Sequence, residues 1–400
     1  MPHRASGRVS ADSLINTSVI EQRPLLGETL SSWDALAIAS SRPYCAPGWM
    51  LPWWDHLRPE GSSLRSITVR KGSELIGQLP LCLSRDRWGI VSGHLLGHDT
   101  SSYSEPLAVE GRERQVAAAV TSSLSGRGER VDVLSLTGIP HDSPWPRLLQ
   151  EAWPGPRPRL SLVSTMQAPF VDVPPGGFDE WFSGRSRNFR QQARSRTREF
   201  LRRGGRFVRA ASAGEMLSGL RDLERLHLVR WSVRGGSQAL VPGVIQMLTQ
   251  ACGELGPDRI HIWTAEVSGG AVAAALFVSA GQEMHYWLGG FDEAWASLSL
   301  SVLLLVEAVR YAAEMGYGRV SLGPGAQPYK YRLATGEERL DWVDLLPVNM
   351  RTPYVSIVQS PRRLYRLAAR RTPPNVKERV RSAAERLLGQ PRSAVEKSVD

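Results

Sequence analysis

Along two stretches of the chain, short and mainly apolar runs of strand length are separated by turn sequences, which predicts β-hairpins. These runs lie at residues 64–69, 75–83, 88–91, 259–266, 271–279 and 283–288. Each group of three is followed by a run with helical spacing and then by one more short apolar run. These later runs lie at residues 112–124 and 131–136 in the first stretch and at residues 300–315 and 319–322 in the second.

The repeated order predicts two fused α/β units, each with a mixed central sheet flanked by helices. A length of 400 residues agrees with this, because it exceeds the size that one hydrophobic core normally serves. We expect a disordered tail over residues 1–26, a first unit over residues 27–167, a second unit over residues 168–350 and a basic helical tail over residues 351–400.

Two long helical patterns open the second unit, over residues 178–203 and residues 213–231. The apolar face of the first consists of Phe182, Phe189, Ala193 and Phe200. Its remaining faces are rich in arginine, as in an amphipathic helix. The second helix ends in a group that includes His227, Arg230 and Trp231.

The net charge of +10 is concentrated in two segments. Residues 185–209 hold ten arginines against the single acid Glu199, and residues 351–400 hold twelve Lys and Arg against four acids. The basic character therefore belongs to these segments and not to the whole fold. Lysine is rare, with only Lys71, Lys330, Lys377 and Lys397.

No apolar run approaches the roughly 20 residues of a membrane span, and the N-terminal residues lack the apolar core of a signal peptide. Three scattered cysteines, Cys45, Cys82 and Cys252, form no disulfide framework and are expected to be core residues. We therefore expect a soluble, cytoplasmic protein, and peripheral contact of the basic segments with an anionic inner membrane face is left open as an alternative.

Several familiar catalytic motifs are missing, namely a Walker loop, a GxSxG elbow, an HExxH pair and a complete dinucleotide fingerprint. His94 and His98 are four residues apart, but Gly93 and Gly97 argue against a helix that would align them on a metal. We expect a polar loop there and no metal site.

The candidate site lies where two neighbouring strands of the second unit end. Gly289, Gly290 and Asp292 follow one strand, and Ser297 or Ser299 is expected to cap the helix after it. A helix N-terminus at the carboxyl end of a strand favours a diphosphate. Lys330 follows the next strand, so we expect it to face the same edge of the sheet.

These residues resemble the GNAT acetyltransferase superfamily, and most closely the CelD-like (BcsL-like) tandem GNAT proteins named for cellulose biosynthesis, which are related to the FemAB aminoacyltransferases. The matching segments include Arg187-Asn188-Phe189-Arg190 and the Tyr329-Lys330 pair and lie at residues 178–198, 226–231, 286–292 and 316–331. The first unit is similar to the degenerate N-terminal half of such proteins. The donor helix departs from the family, because it begins with Ser297-Leu298-Ser299-Leu300 instead of a Ser-Pro-Gly-like sequence.

The resemblance implies tandem GNAT folds, an acetyl-CoA or acyl-CoA donor, no metal, and an amine or hydroxyl acceptor on a sugar, lipid-linked sugar or other cell-envelope or exopolysaccharide precursor. The residues expected to bind the donor are Gly289, Gly290, Ser297, Leu298, Ser299 and Gly323. The residues expected to bind the acceptor are Arg190, Arg194, Arg230 and Trp231.

Four residues are catalytic candidates. Lys330 would stabilise the oxyanion of a tetrahedral intermediate or bind donor phosphate, although a surface lysine is the alternative. Tyr329 would donate a proton to the leaving thiolate, or it is an edge-of-core residue. His227 would deprotonate the acceptor, or it is a helix-surface histidine. Asp292 is the second candidate base, or it is a turn residue.

Two alternatives to a CoA-dependent enzyme remain open. One is a FemAB-like transferase that uses aminoacyl-tRNA, and the other is an inactive GNAT scaffold that recruits polysaccharide machinery. The arginine helix itself is a solvated face, a docking surface for anionic acceptors, or a nucleic-acid surface. Its single buried aromatic stripe does not favour base stacking, so tRNA is the less favoured partner.

Overall fold

A computed structural model describes residues 15–20, 28–126, 130–232 and 239–358. The helices are α1 Glu28–Ala39, α2 Pro47–Leu57, α3 Glu113–Ser125, α4 Trp145–Glu151, α5 Gly177–Ser183, α6 Arg187–Arg202, α7 Ala213–Ser232, α8 Val244–Leu255, α9 Leu300–Met315 and α10 Pro328–Leu333. The strands are β1 Ile15–Ile20, β2 Ser63–Lys71, β3 Glu74–Arg85, β4 Val91–Leu95, β5 Leu107–Ala108, β6 Val133–Pro140, β7 Arg159–Asp172, β8 Gly205–Arg209, β9 Ile260–Val267, β10 Gly270–Ala280, β11 Glu283–Phe291, β12 Arg319–Ser321 and β13 Gly336–Leu346.

The strands form one 13-stranded mixed sheet in the order β1-β2-β3-β4-β6-β13-β7-β12-β11-β10-β9-β8, with β5 paired to β3. Each half has a meander of antiparallel strands and one parallel pair, β4 with β6 in the first and β11 with β12 in the second. The expected mixed α/β architecture with a repeated order of elements is confirmed.

The two halves are joined by an exchange of strands at the middle of the sheet. The last strand, β13, pairs with both β6 and β7, and β7 pairs in turn with β12. A division at residue 167 falls inside β7, so the backbone hydrogen bonds of the sheet run without a break across the expected domain boundary.

Some predicted elements differ from those observed. The expected helix over residues 178–203 is two helices, because the chain turns at Gly184 and restarts at Ser186, whose hydroxyl accepts a hydrogen bond from Phe189 N and caps α6. The third strand of the first unit begins at Val91, after a turn that Asp86 closes by accepting from Trp88 N.

The expected disordered tail over residues 1–26 is wrong for residues 15–20, which form β1 along the edge of β2. This segment, Ile-Asn-Thr-Ser-Val-Ile, is rich in β-branched residues that suit a strand. The basic tail was expected over residues 351–400, and residues 359–400 lie outside the described part of the chain. All three cysteines are free and buried, as expected.

The second half has a hydrophobic core on each face of its sheet, and β10 separates the two. Ala274, Leu276 and Val278 point into the core that contains α7 and α8. The residues between them, Ala273, Ala275 and Phe277, point into the core that contains α5, α6 and α9. This strict alternation is the period of a strand that is buried on both faces.

Helix α7 crosses β11 so closely that Gly290 has no room for a side chain. A Cβ atom built on Gly290 would lie 2.7 Å from His227 N and 3.0 Å from Leu226 C, both backbone atoms of α7. Gly290 therefore lets a helix approach the strand, a reason for this residue that does not involve a ligand.

We predict that Gly290→Ala destabilises the protein by about 1–3 kcal/mol, because the new methyl group pushes α7 away from the sheet. The matched control is Gly253→Ala in α8, where a Cβ atom meets nothing within 4 Å. This control should gain up to about 1 kcal/mol from helix propensity. Urea denaturation measures both, and equal stabilities of the two variants would contradict the close approach of α7.

Candidate active site

The candidate site begins where β11 and β12 separate. The two strands pair in parallel only from Glu283 to His285 and from Arg319 to Ser321. Beyond this, β11 continues beside β10 to Phe291, whereas the chain leaves β12 through Gly323, which has φ of 75°. Two parallel strands that part at their carboxyl ends leave a gap between them, and such gaps are where α/β sheets bind ligands.

Lys330 lies at this gap and is buried, with 4% of its surface exposed. Its Nζ donates to Gly323 O at 3.1 Å and to Pro324 O at 2.8 Å. A Cβ atom built on Gly323 would lie 3.9 Å from Lys330 Nζ and 3.1 Å from Tyr286 O of β11. The ammonium group is therefore held between the end of β12 and the diverging part of β11, and Lys330 is not a surface lysine.

Burial lowers the pKa of Lys330 to about 7. The cause is desolvation of the charged form, and within the described residues no carboxylate pairs with this ammonium group. Two carbonyl oxygens bind two of its three protons. A cation of this kind, with one donor uncommitted to protein carbonyls, can stabilise a negative oxygen.

The segment that carries Lys330 was expected to be a loop after a strand, but it is the short helix α10. Pro328 stands in its first turn after the extended residue Gln327, a favourable helix start. Tyr329 is half-buried against the core that contains α9, and Tyr331 donates from its hydroxyl to Glu337 at 2.9 Å.

His227 lies on the opposite side of β11 from α9. It is 3% exposed, and its Nδ1 is 3.3 Å from Gly289 O. Because a carbonyl oxygen only accepts, this contact assigns the proton to Nδ1. The alternative of a helix-surface histidine is wrong, since α7 presses this residue against the strand.

Helix α9 follows β11 after a 3₁₀ turn over Glu293–Leu298. Asp292 caps that turn by accepting a hydrogen bond from Ala294 N at 2.9 Å. The expected capping of α9 by a serine hydroxyl is wrong, because no side chain caps the helix and Ser299 has φ of 50°. Ser299 thus adopts a left-handed conformation typical of glycine.

The other residues expected at this helix start have different environments. Ser297 is exposed, whereas Leu298 is 5% exposed and packs into the core. Leu298 could therefore contact a ligand only through its backbone.

The arginine face of α6 adjoins the helix that carries Lys330. Arg332 of α10 donates to Gln192 Oε1 of α6 at 2.7 Å and lies over Phe189, 5.3 Å from its centroid. Arg194 is exposed and lies 5.4 Å from the centroid of Phe182. Arg190 is half-buried, and its buried Nε has no hydrogen-bond partner.

The side chains of Arg230 and Trp231 lie outside the described part of the structure. In the described ranges, no group of three or more His, Cys, Asp or Glu side chains is arranged to hold a metal ion. His94 and His98 stack on each other with centroids 4.5 Å apart. None of the helices in these ranges is long and apolar enough to cross a membrane.

Residues 187–331 match the family model described as Acetyltransferase (GNAT) domain. Among solved structures, "Crystal structure of FemX" is 11% identical, covers 83% of this chain and 98% of that one, and has a TM-score of 0.59. The C-terminal domain of a putative lysylphosphatidylglycerol synthetase from Agrobacterium fabrum is 10% identical, covers 84% of this chain and 95% of that one, and has a TM-score of 0.52. No curated protein matches the chain.

Residues 187–331 are therefore similar to a GNAT acetyltransferase domain, and this similarity supports a transferase. The two solved structures are similar in fold, at identities too low to transfer a substrate. The matched range contains every residue predicted for donor binding, catalysis and acceptor binding. The finer CelD-like subtype stays a prediction.

Two sets of hydrogen bonds at the site could not be predicted from the pattern of apolar and polar residues. One is the pair of carbonyl groups from Gly323 and Pro324 that holds Lys330. The other is the hydrogen bond from Gly323 N to Ser321 Oγ at 3.2 Å. Both depend on the path of the chain after β12, which the sequence indicated only as a Gly-Pro-Gly turn.

We predict that Lys330 titrates near pH 7, because its burial disfavours the charged form. With only four lysines, ¹³Cε-lysine labelling gives a readily assigned NMR spectrum. The Lys330 signal is identified by its loss in Lys330→Met, and Lys71 is followed in the same sample. A midpoint above pH 10 would show that Lys330 is solvated and would contradict the buried ammonium.

Proposed function

We propose that the protein transfers an acyl group from coenzyme A directly to an amino or hydroxyl group of an anionic sugar or cell-envelope precursor. The observation that carries this proposal is the buried ammonium group of Lys330 at the point where β11 and β12 separate. It supplies a fixed positive charge, away from bulk water, where an oxyanion would form.

In the proposed reaction the acceptor nitrogen or oxygen attacks the carbonyl carbon of the thioester. The electron pair of the C=O bond moves onto oxygen, and Lys330 stabilises the negative charge by donating a hydrogen bond. When the C=O bond forms again, the C–S bond breaks and the thiolate leaves. The acceptor loses one proton to a base, and the thiolate gains one from Tyr329.

His227 is the base that the geometry favours. Nδ1 is the protonated nitrogen, since it donates to Gly289 O, so Nε2 has the lone pair that a base requires. Asp292 is the second candidate, but its Oδ1 accepts from Ala294 N and so helps to build the turn before α9. His227 lies against Gly289 of β11, and Lys330 is held at Gly323, which lies beside Tyr286 of the same strand.

The start of α9 would bind the diphosphate of coenzyme A through its backbone N–H groups. Its sequence differs from the one typical of the family. The 16-residue helix begins without a side-chain cap, so its first N–H groups remain available to an anion. Ser299 takes the backbone conformation that glycine would take, which reproduces the turn with a different residue. Gly289 and Gly290 would line the donor side through their backbone, and so would Gly323.

The acceptor is proposed to be anionic because of the arginines beside α10. Arg190 and Arg194 have no carboxylate partner in the described residues, and they lie on the helix that contacts Arg332. Guanidinium groups bind phosphate in a bidentate manner. A phosphate-bearing sugar or lipid-linked sugar would therefore be held next to Lys330, with Arg230 and Trp231 as further proposed contacts.

An aminoacyl-tRNA donor is the second candidate. The similarity in fold to FemX and to the lysylphosphatidylglycerol synthetase domain supports it, together with the arginine surface of α6. The chemistry at Lys330 would be unchanged, because an ester carbonyl develops the same oxyanion as a thioester.

Isothermal titration separates the donors. Micromolar binding of acetyl-CoA is the expected result, and it should weaken as salt screens the diphosphate. Binding of tRNA without binding of acetyl-CoA would replace the proposed donor by the second candidate. Binding of neither would contradict both.

We predict that Lys330→Ala lowers turnover at least tenfold, because the oxyanion loses its fixed cation. The role requires the protonated amine, so wild-type activity should fall as pH rises through about 7, and the variant should lack this limb. Acyl transfer to a panel of amino sugars measures both, and Lys71→Ala is the control for an unrelated lysine. Unchanged turnover in Lys330→Ala would refute the role.

We predict that Arg190→Glu combined with Arg194→Glu raises KM for an anionic acceptor about tenfold, because two phosphate-binding groups are replaced by repelling charges. The value of kcat should change less than threefold, since neither residue touches the reacting carbonyl. Arg147→Glu combined with Arg157→Glu, at two exposed arginines of the first half, is the charge-matched control. An equal rise in KM for the control would mean that total charge, and not this surface, binds the acceptor.

A further inference from the structure

In the first half of the protein, the gap between the parallel strands is filled by the chain itself. There β4 and β6 pair from Ser92 to His94 and from Val133 to Ser135. The loop after β4 is fastened to β6 by a hydrogen bond from Tyr103 N to Gly138 O at 2.6 Å. Consecutive residues of this loop are buried, namely Thr100, Ser101, Ser102, Tyr103, Ser104 and Glu105. The position that corresponds to the candidate site is thus occupied by protein.

The same loop contacts the second half beside the candidate site. Trp287 of β11 donates from Nε1 to Thr100 O at 2.8 Å. The ring of Tyr103 meets the ring of His285, also on β11, with centroids 4.6 Å apart. Tyr103 has φ of 59°, a strained conformation for a bulky residue, which the surrounding contacts must hold in place.

A buried chain of hydrogen bonds connects Tyr103 to the backbone that holds Lys330. Gly323 N donates to Ser321 Oγ at 3.2 Å, Ser321 Oγ donates to Tyr103 Oη at 3.1 Å, and Tyr103 Oη donates to Glu338 Oε1 at 3.0 Å. Ser321 is fully buried and Tyr103 is 2% exposed. Gly323 is the residue whose carbonyl accepts from Lys330 Nζ.

The neighbouring groups fix the direction in which protons are donated along this series of hydrogen bonds. Burial and the nearby charge of Glu338 raise the pKa of Tyr103 well above its ordinary value, so the phenol keeps its proton and donates it. Around it, Glu283 pairs with His285 at 2.8 Å, and Arg319 lies 3.6 Å from Glu338. Each hydroxyl oxygen in the chain therefore accepts one hydrogen bond and donates one, which fixes the peptide group that contains Gly323 N.

We propose that Tyr103 is a positioning residue for Lys330, supplied by the first half of the protein to the site in the second half. Through Ser321 it fixes Gly323 N, and the carbonyl oxygen of the same residue orients the ammonium group of Lys330. The catalytic consequence rests on the proposed function, whereas the effect on Lys330 itself does not.

The test is Tyr103→Phe, which keeps the ring against His285 and removes only the hydroxyl group. Without it Gly323 is held less tightly at its N–H group, and we expect the ammonium group bound to its carbonyl oxygen to become better solvated. We expect the Lys330 midpoint in ¹³Cε-lysine NMR to rise by about one unit toward its ordinary value. We also expect kcat to fall about fivefold with little change in the donor KM.

The matched control is Tyr44→Phe. Tyr44 is also 2% exposed and also faces His285, with centroids 5.5 Å apart, but its hydroxyl is not part of the chain to Ser321. The Lys330 midpoint should not move in this variant. No shift in Tyr103→Phe, or equal shifts in both variants, would overturn the proposal.

Ser321→Ala provides a second route if Tyr103→Phe folds poorly. It breaks the same chain one step closer to Gly323, so this single variant should also raise the Lys330 midpoint by about one unit. An unchanged midpoint in Ser321→Ala would overturn the proposal. If Tyr103→Phe moves the Lys330 midpoint but Lys330→Ala keeps full transfer activity, the positioning contact stands and the proposed function fails.

Discussion

The candidate site depends on one constraint, the short parallel pairing of β11 with β12. Three residue pairs join the strands before they part, and β7 holds β12 on its other side. The chain after β12 must then turn back, and the turn at Gly323 presents two carbonyl groups to Lys330. A longer pairing of β11 with β12 would close the gap.

The exchange of β7 and β13 makes the two halves a single structural unit. Because β13 pairs with β6 on one side and β7 on the other, the first half cannot move relative to the second without breaking backbone hydrogen bonds. Each half has the same parallel pair, but the first half fills its gap with its own loop. The two halves thus share the same order of strands in the backbone. The gap between the parallel strands is filled by a loop in the first half and holds Lys330 at its edge in the second.

Much of the fold was predictable from periodicity. Helix α9 was expected over the residues it occupies, since its apolar spacing is regular, and α7 was one residue off. The break between α5 and α6 was missed because the apolar face continues across Gly184. The single sheet was missed because long-range strand pairing leaves no local pattern. Of the site, the position of Lys330 was predictable from order along the chain, whereas its burial depends on tertiary packing.

The most direct measurement is the response of the Lys330 ¹³Cε signal to an acyl donor. Acetyl-CoA and a stable aminoacyl-adenosine analogue are each titrated into labelled protein, with Lys71 as the internal reference. If the ammonium group faces the reacting carbonyl, one of these donors shifts the Lys330 signal saturably and leaves Lys71 unchanged. A Lys330 signal that responds to neither donor would contradict acyl transfer at this site.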